Sequence, residues 1–163
     1  NANGVIFFLK PRDQIANHIE MINSTRKSLN KVDEFNVISI IPTYFADNSN
    51  QAKITLASYI GANEFYSIAL VKAGFKDEVE KIKNAFQNRG LKEAAGNVGD
   101  KLLEELTILG SVEECNEKIS KMAKSTKLKT IILGFDLPED KYTDEFFEKL
   151  DKLLKSLQKY GIY

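Results

Sequence analysis

The sequence predicts an α/β fold, with a parallel sheet of about three strands wrapped by helices and interrupted by a helix-rich insertion. Three observations carry that prediction. Residues 4–9, 35–43 and 130–135 are short apolar runs, rich in Ile, Val and Phe and lacking polar alternation, as in strands covered on both faces. Between them stand segments whose apolar residues recur at helical spacing, and this alternation of strand and helix builds α/β domains. From residue 61 to 110 the alternation stops, and the chain reads as helices punctuated by glycine.

The first strand, GVIFFL, is followed by Pro11, which opens a helix where its missing N–H costs no hydrogen bond. Ile15, Ile19 and Ile22 form the seam of that helix, extending to Leu29. The single histidine, His18, lies off the seam with no second His or Cys nearby, so it reads as structural or solvent-facing instead of as a metal ligand. After a polar connection at 30–34, the second strand FNVISIIPT is expected to end at Pro42. Strand, helix and strand make a crossover unit. Such units are right-handed in about 98% of cases, so the two strands should be parallel neighbours whose carboxyl ends, Phe8-Leu9 and Pro42-Thr43-Tyr44, share one rim.

Residues 46–49 supply the next helix start, with Asp47 read as a cap or turn residue in preference to a ligand, and Ala52, Leu56 and Tyr59 continue on one face. Residues 63–73 form a short helix ended by Gly74. Phe75, Val79, Ile82 and Phe86 make a seam that stops at Arg89-Gly90. Leu91, Ala95, Val98, Leu102, Leu106 and Leu109 follow, with Gly110 closing. A kink or new start is expected around residues 97–100, because Gly96 and Gly99 each cost about 1 kcal/mol against alanine in a helix.

Ser111 and Glu114 have the spacing of a capping box, and Cys115, Ile119 and Met122 form the apolar stripe of the helix that follows. A polar break at 124–129 leads to the third strand, TIILGF, which stops at Asp136-Leu137-Pro138. Thr143 caps the last helix. Its apolar face, Phe146, Phe147, Leu150, Leu153, Leu154, Leu157 and Tyr160, closed by Gly161, is wide enough to meet a sheet or a partner subunit.

Composition excludes several classes. At 163 residues the chain has the length of one domain. Lys+Arg and Asp+Glu both total 23, so no global field draws it to nucleic acid or to an anionic bilayer. No run approaches the ~18 apolar residues of a membrane helix. The lone Cys115 allows no internal disulfide and no secretory signal is visible, so a cytoplasmic location is expected; Asn1-Ala2 reads as a tag remnant. No P-loop, GxGxxG, CxxC, HExxH or GxSxG occurs. Ligands of α/β folds meet the carboxyl ends of the strands, which makes Gly134, Phe135 and Asp136 the first place to look for chemistry. The same residues also read as packing at Gly134 and a turn start at Asp136. From the residues alone, no function is assigned.

Four stretches resemble one family. Asn3-Gly4-Val5-Ile6 resembles an Ala-Asp-Gly-Val strand, with Asn in place of Asp. Phe45-Ala46-Asp47 followed by Ala52 resembles an AxD…A strand exit, and Ala73-Gly74-Phe75 is similar to an xGF that follows an aromatic helix, here Glu64-Phe65-Tyr66. Gly110-Ser111-Val112-Glu113-Glu114 resembles GTPEE, with Ser for Thr and Val for Pro. In this order they resemble the carboxyl-terminal half of the luciferase-like monooxygenase superfamily, which includes bacterial luciferase and the deazaflavin-dependent methylenetetrahydromethanopterin reductases.

The resemblance implies a partial TIM-type (β/α) barrel, since a complete one takes at least ~200 residues. It implies a flavin (FMN) or deazaflavin (coenzyme F-420) at the carboxyl rim of the full-length parent, serving hydride transfer or monooxygenation on a small-molecule substrate. Carried over, the rim positions are Phe8, Leu9, Thr43, Phe135 and Asp136, as lining and positioning residues, with the phosphate-binding segment upstream of Asn3. The isolated chain would then be inactive and bind neither coenzyme. Because partial barrels expose strand edges, self-association through the first strand or the last helix is expected. The alternative is a non-enzymatic interaction module, or a small-molecule binder, on the same half-barrel.

Overall fold

The computed structural model describes residues 3–31, 33–126, 128 and 130–158. In chain order these form β1 (Gly4–Phe8), α1 (Arg12–Ser28), β2 (Asn36–Phe45), a 3-10 turn (Ala46–Asn48), α2 (Ser49–Ala62), α3 (Glu64–Lys72), α4 (Lys76–Arg89), α5 (Leu91–Gly96) and α6 (Asp100–Leu106). They continue with β3 (Ile108–Gly110), α7 (Val112–Thr126), β4 (Thr130–Gly134), a second 3-10 turn (Glu139–Lys141) and α8 (Asp144–Gln158).

Every strand pairing is parallel, and β2 is the hub. It pairs with β1 from Gly4↔Asn36 to Phe8↔Ile40, with β4 from Ile38↔Thr130 to Pro42↔Gly134, and with β3 from Thr43↔Ile108 to Phe45↔Gly110. Three longer strands and the helical insertion α2–α6 match the α/β expectation. The fourth, β3, has three residues and falls where the leucine spacing reads as continuing helix. The helix ends earlier because Leu106 completes its buried face and Thr107, β-branched and extended, turns its hydroxyl back to the Leu103 carbonyl at 2.7 Å. The chain is then free to join the β2 ladder. Gly110 closes this strand with φ 156°, and a Cβ there would lie 2.6 Å from the Glu114 carboxylate, so only glycine fits beside the cap of α7.

Local signals hold closely. Ser111 and Glu114 exchange both capping-box bonds: Glu114 N donates to Ser111 Oγ at 3.2 Å, and Ser111 N donates to Glu114 Oε2 at 2.7 Å. Asn63 caps α3 and Thr143 caps the start of α8. The expected break near 97–100 separates α5 from α6. Gly61 of α2 lets α4 approach, since a Cβ there would stand 2.4 Å from the Phe86 ring.

Several expectations are corrected. Pro42 does not end β2, which runs on to Phe45. Pro42 is the last residue in register with β4, opposite Gly134, and lies past the stretch paired with β1, which ends at Ile40, so its missing N–H costs no bond to β1. The α1 seam stops before Leu29, an exposed residue at the helix end, and α7 continues through 124–126 before its break. On α8 only Phe146, Leu153 and Leu157 are buried; Phe147 and Leu154 are exposed, while Tyr160 and Gly161 lie outside the described residues.

The largest correction concerns the sheet. β1 and β4 are covered on one face only. Register places Val5, Phe7, Val37, Ser39, Ile41, Ile131 and Leu133 on the outer face, toward the helices. There Phe7, Val37 and Ile131 pack on Ile15, Ile19 and Leu128, and Ile41 joins the main core with α7 and α8 residues such as Ile119 and Leu153. The inner face carries Ile6, Phe8, Ile38, Ile40, Thr130 and Ile132. Ile6 is 58% and Ile132 43% exposed, because among the described residues no layer lies across them.

Candidate functional site

Parallel pairing brings the carboxyl ends of all strands to one rim, and α2 lies over it. Two side chains one turn apart on α2 reach different strands. Tyr59 meets the ring of Phe8, at the end of β1, edge to face with centroids 5.1 Å apart, and Tyr66 of α3 meets both at 5.8 and 5.6 Å. Thr55 donates to Asp136 Oδ2, just beyond β4, at 3.0 Å. Helix α2 thus joins an aromatic cluster over β1 to a polar contact over β4.

Between the two sits Tyr44 of β2, fully buried. Its hydroxyl lies beside Thr55, yet no hydrogen bond of normal geometry reaches it. Burial is the main reason its phenol is pushed up to about 12, with the nearby Asp136 adding to the shift and Thr55 opposing it. Tyr44 is therefore a protonated donor without an acceptor, in a place where an unmade bond costs about 1–3 kcal/mol.

The five rim residues expected from the sequence divide. Phe8 and Asp136 belong to this constellation. Leu9, next to Phe8, is buried in the core with φ 49°, a left-handed conformation uncommon for a branched side chain and typical of constrained functional sites. Thr43 is fully buried, and its hydroxyl donates to the Ile41 carbonyl at 2.9 Å, committing it to the strand. Phe135 packs on the helix side against Phe45 and Phe146. Its carbonyl accepts from Tyr142 Oη at 2.9 Å, pinning the loop that carries Asp136.

Thr55, Tyr59 and Tyr66 were not singled out as site residues. The one signal for the first two is their four-residue spacing on a helix that starts at a strand exit. Asp47 ion-pairs with Lys149 of α8 at 3.4 Å on the surface, in keeping with its reading as a turn residue. His18 holds the Gln14 carbonyl at 2.7 Å and packs on Phe7, a structural role. Among the described residues no group of three or more His, Cys, Asp or Glu could hold a metal ion, and no helix is long and apolar enough to cross a membrane. Two surface clefts lie away from the rim: about 470 Å³ along α4, and about 320 Å³ between α1, α6 and α7.

The arrangement suits a flat, largely apolar ligand: an aliphatic sheet face below, aromatic rings at one side, and a pinned carboxylate at the other. The model of the luciferase-like monooxygenase family matches residues 1–127, from β1 through α7. The chain belongs to the luciferase-like monooxygenase family. Among solved structures, this family member is similar to the coenzyme F-420-dependent tetrahydromethanopterin reductase from Methanopyrus kandleri, with a TM-score of 0.65 and 20% identity over 81% of the chain. The matched part is 39% of that reductase, so the chain spans about two fifths of its length. At that identity the likeness is one of fold. The parallel sheet with its helices is thus similar in fold to part of a TIM-barrel-type reductase.

Proposed function

We propose that the chain is the carboxyl-terminal half of a (β/α)8 oxidoreductase, resembling a methylenetetrahydromethanopterin reductase, that binds deazaflavin coenzyme F-420 or FMN at this rim. The observation that carries the reading is the exposed inner face at Ile6 and Ile132, lying under a rim of Phe8, Tyr59 and Tyr66. A tricyclic ring system needs an apolar platform and a few polar contacts at its edge. Phe8, Tyr59 and Tyr66, at the carboxyl rim, offer the platform. Asp136, exposed just beyond β4 and steadied by Thr55, offers an acceptor.

When bound, the coenzyme supplies hydride transfer or oxygen activation on a small-molecule substrate. The residues of this chain orient the ring and keep water from it. A phosphate-binding segment upstream of Asn3 completes the site in this reading. The alternative, a non-enzymatic interaction or binding module, rests on the same open face without a role for the rim.

A fluorescence titration with FMN and with the deazaflavin, on this chain and on a version extended upstream to a complete barrel, separates the two. Saturable binding by the extended form, weakened by Asp136→Ala and by Tyr66→Ala, is the expected result. A folded extended form that binds neither coenzyme removes the oxidoreductase reading.

A further inference from the structure

We propose that Tyr44, acting through Thr55, is a positioning residue for Asp136, and that the carboxylate so held accepts the ring N–H of the coenzyme, a step that rests on the oxidoreductase reading. The three groups come from separate parts of the chain: β2, α2 and the turn after β4. By the alternation of side chains along a strand, Tyr44 stands on the inner face of β2 with Ile38 and Ile40, at its carboxyl end. Barrel enzymes draw their functional groups from this position on several strands.

Asp136 is exposed, yet its place is fixed from two sides. Thr55, 81 positions away, donates its hydroxyl proton to Oδ2 at 3.0 Å. Tyr142 spans the backbone around it: its Oη donates to the Phe135 carbonyl at 2.9 Å and accepts from the Leu137 N–H at 3.4 Å. An ionised carboxylate accepts several hydrogen bonds, so with Oδ2 engaged by Thr55 it keeps acceptor capacity toward the rim.

Tyr44 completes the support. A hydroxyl has one proton and two lone pairs; the Thr55 proton is committed to Asp136, which leaves its oxygen able to accept. Tyr44 Oη lies beside it with a proton and no partner, and with no exposed surface it can turn only to groups packed around it. A chain from phenol to hydroxyl to carboxylate points both protons at Asp136, and each bond strengthens the next. Such bonds are often loose before ligand binds and tighten in the complex. Held this way, Asp136 acts as an acceptor. It favours a ring edge that presents an N–H, and the flavin and deazaflavin rings both carry one imide N–H.

Fluorescence titration of the extended form tests the proposal, using whichever of FMN and the deazaflavin binds and its analogue methylated at the imide nitrogen. Methylation should weaken binding to wild type about tenfold or more and make no difference to Asp136→Ala. Tyr44→Phe, which keeps the ring and its packing, should cut that discrimination by about threefold or more. Thr55→Val should cut it further, Thr55→Ser should retain it, and Tyr44→Phe combined with Thr55→Val should match Thr55→Val alone, because Tyr44 acts through Thr55. Equal binding of coenzyme and analogue by wild type, unchanged discrimination in Tyr44→Phe, or additive losses in the double variant would overturn the proposal. If Thr55→Val does not fold, the Tyr44→Phe result decides.

A readout without coenzyme separates this from failure of the oxidoreductase reading. Scalar couplings about χ1 of Asp136 in the ligand-free protein should report one rotamer in wild type and an average over rotamers in Tyr44→Phe and Thr55→Val. If neither coenzyme binds, the N–H step falls with the oxidoreductase reading, while such averaging sustains the positioning role. Identical couplings in wild type and variants would refute it.

Discussion

The two faces of the β1-β2-β4 sheet are made of the same residue types and have different fates. On the outer face Ile41 is buried in the main core, against residues of the helices. On the inner face Ile6, equally aliphatic and also within the sheet, is mostly exposed. Apolar composition alone therefore does not say that a strand is covered; it says that something is meant to cover it. In the half-barrel reading proposed above, the uncovered face is where the rest of the barrel belongs.

The sharpest way to break this comparison is to truncate one residue on each face under dilute, monomeric conditions. Ile41→Ala should cost about 2–5 kcal/mol in urea denaturation. Ile6→Ala should stay within about 0.5 kcal/mol. Equal costs would mean that the inner face is covered after all.

A second test contrasts the buried rim with the surface. Tyr44 is raised from 10.0 to about 12 and Cys115 from 9.0 to about 11, in both cases chiefly by burial. The unfolded chain ionises both groups first, so the stability they confer is complete below about pH 9 and is lost as pH rises toward 12. Thermal melts of Tyr44→Phe should fall less steeply than wild type between pH 10 and 12, by up to about 2–3 kcal/mol at the alkaline end. Parallel curves would place the Tyr44 hydroxyl in contact with water.

Smaller effects are expected where contacts are local. Ser111→Ala should cost about 1 kcal/mol through loss of the α7 cap, read from the same denaturation curves. Asp47→Ala, which removes an exposed partner of Lys149, should change stability by no more than about 0.5 kcal/mol. A larger loss would indicate that the contact of α8 with the strand exit depends on this pair.

These contrasts also account for what the sequence could and could not reveal. Ser111 and Glu114 were legible because a capping box is complete within three residues, and the three long strands were legible as apolar runs. The strand β3 was not, because its three residues are extended only by pairing with Thr43 to Phe45, 65 positions earlier. Nor was the open inner face, since Ile6 and Ile41 look alike until it is known what lies across each. At the rim, Phe8 and Asp136 could be found from strand ends alone. Thr55 and Tyr59 could not, because their meeting with Asp136 and Phe8 depends on where the insertion lays α2 over the sheet.

The central claim is that the carboxyl rim, and not the clefts on the helices, receives the coenzyme. Hydrogen exchange of the barrel-completed protein, with and without saturating deazaflavin or FMN, tests it most directly. The account predicts slowed exchange at Phe8 and Leu9, at Thr43 to Phe45, and at Phe135 and Asp136, with α4 and the α1–α7 cleft unchanged. Protection confined to that cleft or to α4, with the rim unaffected, would contradict it.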